Sequence, residues 1–273
     1  MVTDIKSLPA LHDYKSIAQE QIQDFRENGH VLIRNILSTD EVAAYRDVIL
    51  EAGLRFNTEK RKLEERDTFG KAFLQVMNLW RNDEGVRKFA LAKRFGRMAA
   101  DLLGVDNVRI YHDQALLKEP GGGPTPWHQD QFYWPLDTTN TITMWMPMVN
   151  IHKEMGMLAF ASGSHKQKNV FDFIISDESE PDYDRFIKEN KFPQVQCSSM
   201  NAGDATWHYG HTAHNAPGNN SDSTREVMTI IYVADGARVA PPANKWQEND
   251  HQQWLMSKPV GELVDSELNP LVL

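Results

Sequence analysis

Val108-Arg109-Ile110-Tyr111-His112-Asp113-Gln114-Ala115-Leu116-Leu117-Lys118 marks the point where the spacing of apolar side chains changes along this chain. From here they gather in short β-branched or aromatic runs: Val108 to Lys118, Thr141 to Ile151, Val195 to Ser199, Ala205 to Tyr209 and Glu226 to Ala234. Turn formers separate these runs, among them Gly121-Gly122-Gly123-Pro124, Gly163, Gly203-Asp204 and Pro217-Gly218-Asn219-Asn220. Short strands punctuated in this way predict a β-sandwich or barrel.

Upstream, residues 1–105 read as a helical support. Ser16 to Asn28 carries Ile17, Ile22 and Phe25, and Gly29 is expected to end it; Val31 to Leu37 fits a short buried strand. Ser38-Thr39-Asp40-Glu41 has the form of a capping box, opening a helix with Val42, Tyr45, Val48 and Ile49 on one side and Gly53 as its stop. A third helix is expected after Asn82-Asp83, with Leu91, Phe95, Met98 and Leu102 on one face and Gly104 behind it. Residues 106–240 are the expected β core, and 241–273, with Trp246 and Trp254, a C-terminal extension. No repeat or linker divides the 273 residues, so one domain, 1–273, is expected. Ser176 to Lys191 reads equally well as a helical insertion or an ordered lid.

A hydrophobic content of 41% and a charged content of 25% are ordinary for a globular protein. The net charge of −9 argues against nucleic acid or an anionic membrane as partner, because neutralising phosphates needs clustered Lys and Arg. Cys197 is the only cysteine, so no internal disulfide forms. The segment Met1-Val2-Thr3-Asp4-Ile5-Lys6 lacks the pattern of a signal peptide, and no apolar run reaches membrane-spanning length. A soluble, cytoplasmic protein is expected.

Candidate chemistry lies in Trp127-His128-Gln129-Asp130. On a strand, residues i and i+2 share a face, so His128 and Asp130 could reach one ion. The bland alternative is a carboxylate accepting a hydrogen bond from a surface histidine, but Pro126-Trp127 and Phe132-Tyr133-Trp134 surround the pair with bulky apolar groups. For a third ligand His208, His211 and His214 compete. Spacing alone does not choose; the offset to Asn219, Ser221 and Arg225 favours His214. Two histidines and one carboxylate occupy one face of Fe(II) and leave the opposite positions open. Arg225, which begins an alternating strand (Val227, Thr229, Ile231, Val233), offers a fork of donors to a carboxylate-bearing co-substrate. Phe132, Tyr133, Trp134, Trp145, Trp207 and His208 are candidates for a substrate cavity, about half of them expected to be core packing instead. His30, His112, His152, His165, His211 and His251 read as structural or exposed.

In these residues the chain resembles the phytanoyl-CoA dioxygenase family of iron/2-oxoglutarate oxygenases. The resemblance rests on Phe25-Arg26-Glu27-Asn28-Gly29-His30-Val31-Leu32-Ile33, on Gln114-Ala115-Leu116-Leu117-Lys118 with Thr125-Pro126-Trp127-His128-Gln129-Asp130, and on Gly156-Met157-Leu158 leading to Gly163-Ser164-His165. It continues through Gly203-Asp204, then His214, Asn219, Ser221 and Arg225 in order, to Ala234-Asp235-Gly236-Ala237-Arg238. It implies a mainly β protein with flanking helices, a double-stranded β-helix (a jelly-roll, cupin-like core) behind an N-terminal helical layer. It implies Fe(II) on His128, Asp130 and His214, the distal carboxylate of 2-oxoglutarate on Arg225, and O2 as the second co-substrate. Trp145 and Gln114 would adjoin the 2-oxoglutarate. Where the family often has Ser two residues after the distal His, this chain has Ala216; Thr143 is the expected replacement donor. Asp130 stands where related halogenases have a small residue, which favours hydroxylation of an unactivated C–H bond, coupled to oxidative decarboxylation of 2-oxoglutarate. Phe132, Trp134 and His208 are the candidate substrate contacts. The family's substrates include acyl-CoA thioesters, phosphonates, amino-acid derivatives and secondary metabolites; the low basic content ranks a small polar or natural-product-like molecule first. Two rival readings use the same residues: a non-catalytic cupin-like binding module, and a zinc hydrolase or isomerase.

Overall fold

The structure, a computed structural model, describes residues 5–167 and 180–273. Helix α1 (Gln19–Asn28) ends at Gly29, whose φ of +83° closes the helix and whose missing Cβ leaves room for His165. Strand β1 (His30–Ile33) follows. The capping box forms as expected: Ser38 Oγ accepts from the Glu41 N–H at 3.2 Å, Glu41 Oε2 accepts from the Ser38 N–H at 2.8 Å, and α2 (Thr39–Phe56) begins there. Gly53 does not stop α2. It lies inside the helix against Ala115 of the sheet, a contact between distant segments that overrides its local tendency.

Helix α3 (Thr68–Ala72), strand β2 (Leu74–Met77) and helix α4 (Leu79–Asn82) come next. The expected third helix is two helices, α5 (Glu84–Ala90) and α6 (Lys93–Leu103). Asp83 caps α5 by accepting from the Gly85 and Val86 N–H groups. The apolar spacing runs across the break because Phe89, Phe95, Met98 and Leu102 enter the same core.

The β region comprises β3 (Val108–Lys118), β4 (Thr125–His128), β5 (Thr141–Pro147), β6 (Ile151–His152) and β7 (Ala159–Ala161). After α7 (Glu180–Glu189) come β8 (Gln194–Gln196), β9 (Ser199–Met200), β10 (Ala205–Tyr209), β11 (His214–Ala216) and β12 (Arg225–Ala234), then α8 (Lys245–Trp254). A six-stranded antiparallel sheet in the order β1-β10-β5-β12-β3-β2 faces a four-stranded sheet in the order β4-β11-β7-β8, with β6 and β9 paired beside them. Two antiparallel sheets wound in this non-sequential order make a double-stranded β-helix.

The alternation of β12 sorts the molecule into layers. Arg225, Thr229 and Ile231 face a cavity, while Met228, Ile230 and Tyr232 join Phe89, Phe95 and Met98 in the core under the helices. Every residue of β12 is therefore buried. Helix α7 packs Tyr183, Phe186 and Ile187 with Trp127, Ala161 and Ala213, so the described part of the polar stretch is helical and does not line the cavity; residues 176–179 of the expected insertion or lid lie outside the described residues. No described helix is long and apolar enough to cross a membrane.

Candidate metal centre and its cavity

His128 and His214 sit opposite each other in the β4–β11 pairing, with ring centroids 4.1 Å apart. Asp130 is not on the strand, as the i, i+2 reading supposed. It opens a 3-10 turn, Asp130–Tyr133, which swings its carboxylate back to the same point. Oδ1 of Asp130 lies 3.5 Å from His128 Nε2 and 3.7 Å from His214 Nε2. One ligand atom from each of the three residues lies within 4.8 Å of the others.

The hydrogen-bond network assigns the proton positions. His128 Nδ1 donates to the Pro126 carbonyl at 2.8 Å, and His214 Nδ1 donates to the Thr212 carbonyl at 2.9 Å. Each ring therefore turns Nε2 toward Oδ1. Burial, with His128 and His208 beside it, pushes the His214 imidazole well below its usual range. Burial opposes the charge on Asp130, but the imidazoles around it, His214 first, outweigh that and hold its carboxyl well below the ordinary range. Two imidazole nitrogens and a carboxylate oxygen converging on one point fit a cation, because these atom types together make up a metal ligand set.

The other carboxylate oxygen is fixed by the protein. Thr143 Oγ1 donates to Asp130 Oδ2 at 2.9 Å, and His208 Nε2 lies 3.2 Å from it. Thr143 thus gives its one hydroxyl hydrogen to the carboxylate, which corrects its expected place as a donor to the co-substrate. His208 is 1% exposed and holds Asp130 from behind, in register with Thr143 across β10 and β5.

Arg225 is 1% exposed and pairs with no carboxylate among the described residues. Its guanidinium donates to the Gly156 carbonyl and lies 5.2 Å over the Trp145 ring, while Nε has no hydrogen-bond partner among the described residues. Burial pushes its pKa down to about 9, the signature of a cation waiting for an anion. The approach to Gly156 (φ +81°) requires glycine, because a Cβ there would lie 2.6 Å from the Pro217 carbonyl and 3.4 Å from the guanidinium. The turn before β12 is set by Asn219, which donates to the carbonyls of Lys118 (3.0 Å) and Ser223 (2.8 Å) and accepts from Ser221 Oγ at 2.7 Å. This explains the spacing from His214 through Asn219 and Ser221 to Arg225.

His128, Asp130, Thr143, His208, His214 and Arg225 open on one cavity of about 820 Å³ between the sheets, which Gln114, Trp145, Ala216, Trp134 and Tyr133 also line. Gln114 accepts from Gln75 of β2 at 3.0 Å. Two aromatic candidates are placed elsewhere. Phe132 does not line the cavity and offers its carbonyl to Gln247; Trp207 is fully buried in the main core. His112, expected to be structural, lies in the cavity wall with its ring 5.6 Å from Trp254, and parity with Gln114 along β3 was the signal for it. Asn249, Asp250, Gln253 and Trp254 of α8 form the outer wall; the amphipathic stretch around Trp246 and Trp254 pointed to a helix here but not to its place at the cavity.

The family model for phytanoyl-CoA dioxygenase (PhyH) matches residues 25–227. The chain is similar to the probable alpha-ketoglutarate-dependent hypophosphite dioxygenase of Stutzerimonas stutzeri, 22% identical over 230 residues, covering 80% of this chain and 79% of that protein. Phytanoyl-CoA dioxygenase 1 of Oryza sativa subsp. japonica is 22% identical over 278 residues, covering 89% and 95%. Among solved structures, the non-heme alpha ketoglutarate dependent carbocyclase SnoK from nogalamycin biosynthesis superposes with a TM-score of 0.77 at 26% identity, covering 94% of this chain and 97% of that one. The matched span reaches from α1 into β12 and contains His128, Asp130, His214 and Arg225, so the chain belongs to the phytanoyl-CoA dioxygenase family.

Proposed function

We propose that the protein is an iron(II)- and 2-oxoglutarate-dependent oxygenase that hydroxylates a small-molecule substrate, with His128, Asp130 and His214 as ligands and Arg225 as the co-substrate anchor. The observation that carries this reading is the convergence of two imidazole Nε2 atoms on Asp130 Oδ1, in one cavity with a buried guanidinium that meets no carboxylate among the described residues. When bound, iron(II) supplies O2 chemistry that couples decarboxylation of 2-oxoglutarate to oxidation of a C–H bond.

The chain's own residues do the rest. The Pro126 and Thr212 carbonyls aim the two imidazoles, and Thr143 with His208 leaves Oδ1 as the free oxygen of Asp130. Arg225 pairs the distal carboxylate, and Trp145 beneath it excludes water from that pair. Gln114 adjoins the same wall. Trp134 and Tyr133 with α8 bound the space left for substrate, which a cavity of about 820 Å³ provides beside a molecule as small as 2-oxoglutarate.

A screen for succinate release across metabolite classes, with His128→Ala beside the wild type, tests this function. Turnover of at least one small molecule is expected, and the variant loses both iron binding and succinate release. A His128→Ala protein that still binds iron and turns over removes His128 from the site.

A further inference from the structure

The outer half of the cavity carries negative charge without a counter-charge. Among the described residues lining it Arg225 is the only Lys or Arg, and the co-substrate takes that cation. Two carboxylates stand in the wall away from the metal ligands, Asp67 at the rim and Asp250 on α8. Asp67 caps α3 by accepting from the Gly70 N–H at 2.8 Å, and it is exposed. Asp250 differs. It is half-buried, forms no ion pair among the described residues, and accepts from two neutral donors, Tyr111 Oη at 3.0 Å and the Trp254 indole. Burial pushes its carboxyl up to about 7, as expected where a charge lies out of water with no opposite charge beside it. The aromatic faces of Trp246, Trp254, Tyr133 and Trp134 share this chamber. Aromatic rings around a carboxylate attract a cation through both ring quadrupole and charge, and they repel an anion.

We infer that the substrate of this cavity carries a protonated amine, which pairs with Asp250 among the aromatic side chains of the outer chamber. The inference rests on the oxygenase reading for the existence of a substrate, but its evidence is the charge of the wall and not the metal ligands. The carboxylate of Asp250 would gain the counter-ion it lacks, and the amine would fix which carbon of the substrate faces the donor set. Tethering α8 to β3 through Tyr111 is a second role for Asp250, and asparagine keeps it, since its amide oxygen accepts the same hydrogen bonds while carrying no charge.

The test is a matched series that differs in charge alone: 4-phenylbutylamine, 4-phenylbutan-1-ol and 4-phenylbutanoate. Each is titrated at pH 8, anaerobically, into protein loaded with Fe(II) and saturated with 2-oxoglutarate, and followed by tryptophan fluorescence. The amine is expected to bind about tenfold or more tightly than the alcohol, the increment of a hydrogen-bonded ion pair, and the acid more weakly than either. Asp250→Asn brings the amine to the level of the alcohol and leaves the alcohol and the melting temperature unchanged. Equal affinities for amine and alcohol, a preference that survives Asp250→Asn, or no binding of the amine overturns the inference. Should Asp250→Asn not fold, Tyr111→Phe with the same three ligands reports instead: the amine preference must persist, because the charge is still there. Failure of iron or 2-oxoglutarate to bind in the loading step marks a failure of the oxygenase reading and is seen before any amine is added.

Discussion

Asp130 divides its two oxygens between the protein and the metal site. Oδ2 is held by Thr143 and His208, which leaves Oδ1 facing the Nε2 atoms of His128 and His214. Without the Thr143 bond the carboxylate would be free to rotate and lose its fixed donor atom. Thr143→Val is expected to weaken iron binding about 10- to 100-fold, the usual effect of losing a ligand's supporting hydrogen bond, while Thr143→Ser keeps the affinity. Anaerobic equilibrium titration with Fe(II) measures both; an unchanged affinity in the valine variant would mean that His208 suffices to hold Asp130. At this scale the sequence was most legible where chemistry demands a residue type. The two histidines, Asp130 and Arg225 were readable from type and order. The partners of Asp130 were not, because Thr143 lies on another strand and is an ordinary strand residue until the turn at Asp130 reaches it.

Elements differ in how much of themselves they carry in their own sequence. β3 and β10 lie at the positions read for them, since long β-branched or aromatic runs between turns leave little choice. β2, β4 and β11, of three or four residues, show no period, and the β4–β11 pairing is irregular between His214↔His128 and Ala216↔Thr125. Two steps on β11 oppose three on β4 there, a bulge that returns Thr125 to the cavity side with His128. Gly53 and the break between α5 and α6 were misread because tertiary contacts decide them. Helix α8 matters most for function. It is capped by Asn244, which accepts from the Trp246 and Gln247 N–H groups, and Gln247 Nε2 donates to the Phe132 carbonyl at 3.0 Å. That bond ties the outer wall to the turn bearing Asp130. Gln247→Ala is expected to raise the substrate KM about fivefold, the worth of one hydrogen bond of about 1 kcal/mol, with 2-oxoglutarate affinity unchanged. Equal losses for both ligands in steady-state succinate assays would show that α8 supports the whole site and not the outer chamber alone.

Across the whole molecule, burial packs the helical layer on the sheet, the Arg46–Glu226 ion pair links α2 to β12, and a charged cluster around Arg94 ties the helices to each other. Arg94, 2% exposed, donates to Glu41 at 2.7 Å, to Asp13 and to the Ile36 carbonyl at 3.0 Å. The hydrogen bond from Arg94 holds the Glu41 carboxyl down to about 2 from 4.5. A depressed carboxyl contributes stability that is complete above its unfolded value of 4.5 and lost as pH falls toward about 2. Arg94→Leu is expected to destabilise the protein by about 3–5 kcal/mol at neutral pH, as when one partner of a buried pair is removed. It should also flatten the fall in melting temperature below pH 4.5. Thermal melts from pH 7 to pH 3 measure both, and an acid branch as steep as in the wild type would remove Glu41 from the linkage.

The central claim concerns a single site between the sheets that takes one metal ion and one 2-oxo acid. Anaerobic addition of Fe(II) and then 2-oxoglutarate, followed by visible absorption, tests it most directly. One equivalent of each should bind, with a weak charge-transfer band appearing only when both are present and absent from the His128→Ala and His214→Ala proteins. A band that survives either substitution, or a wild-type protein that binds zinc and gives no band with iron and 2-oxoglutarate, contradicts the account.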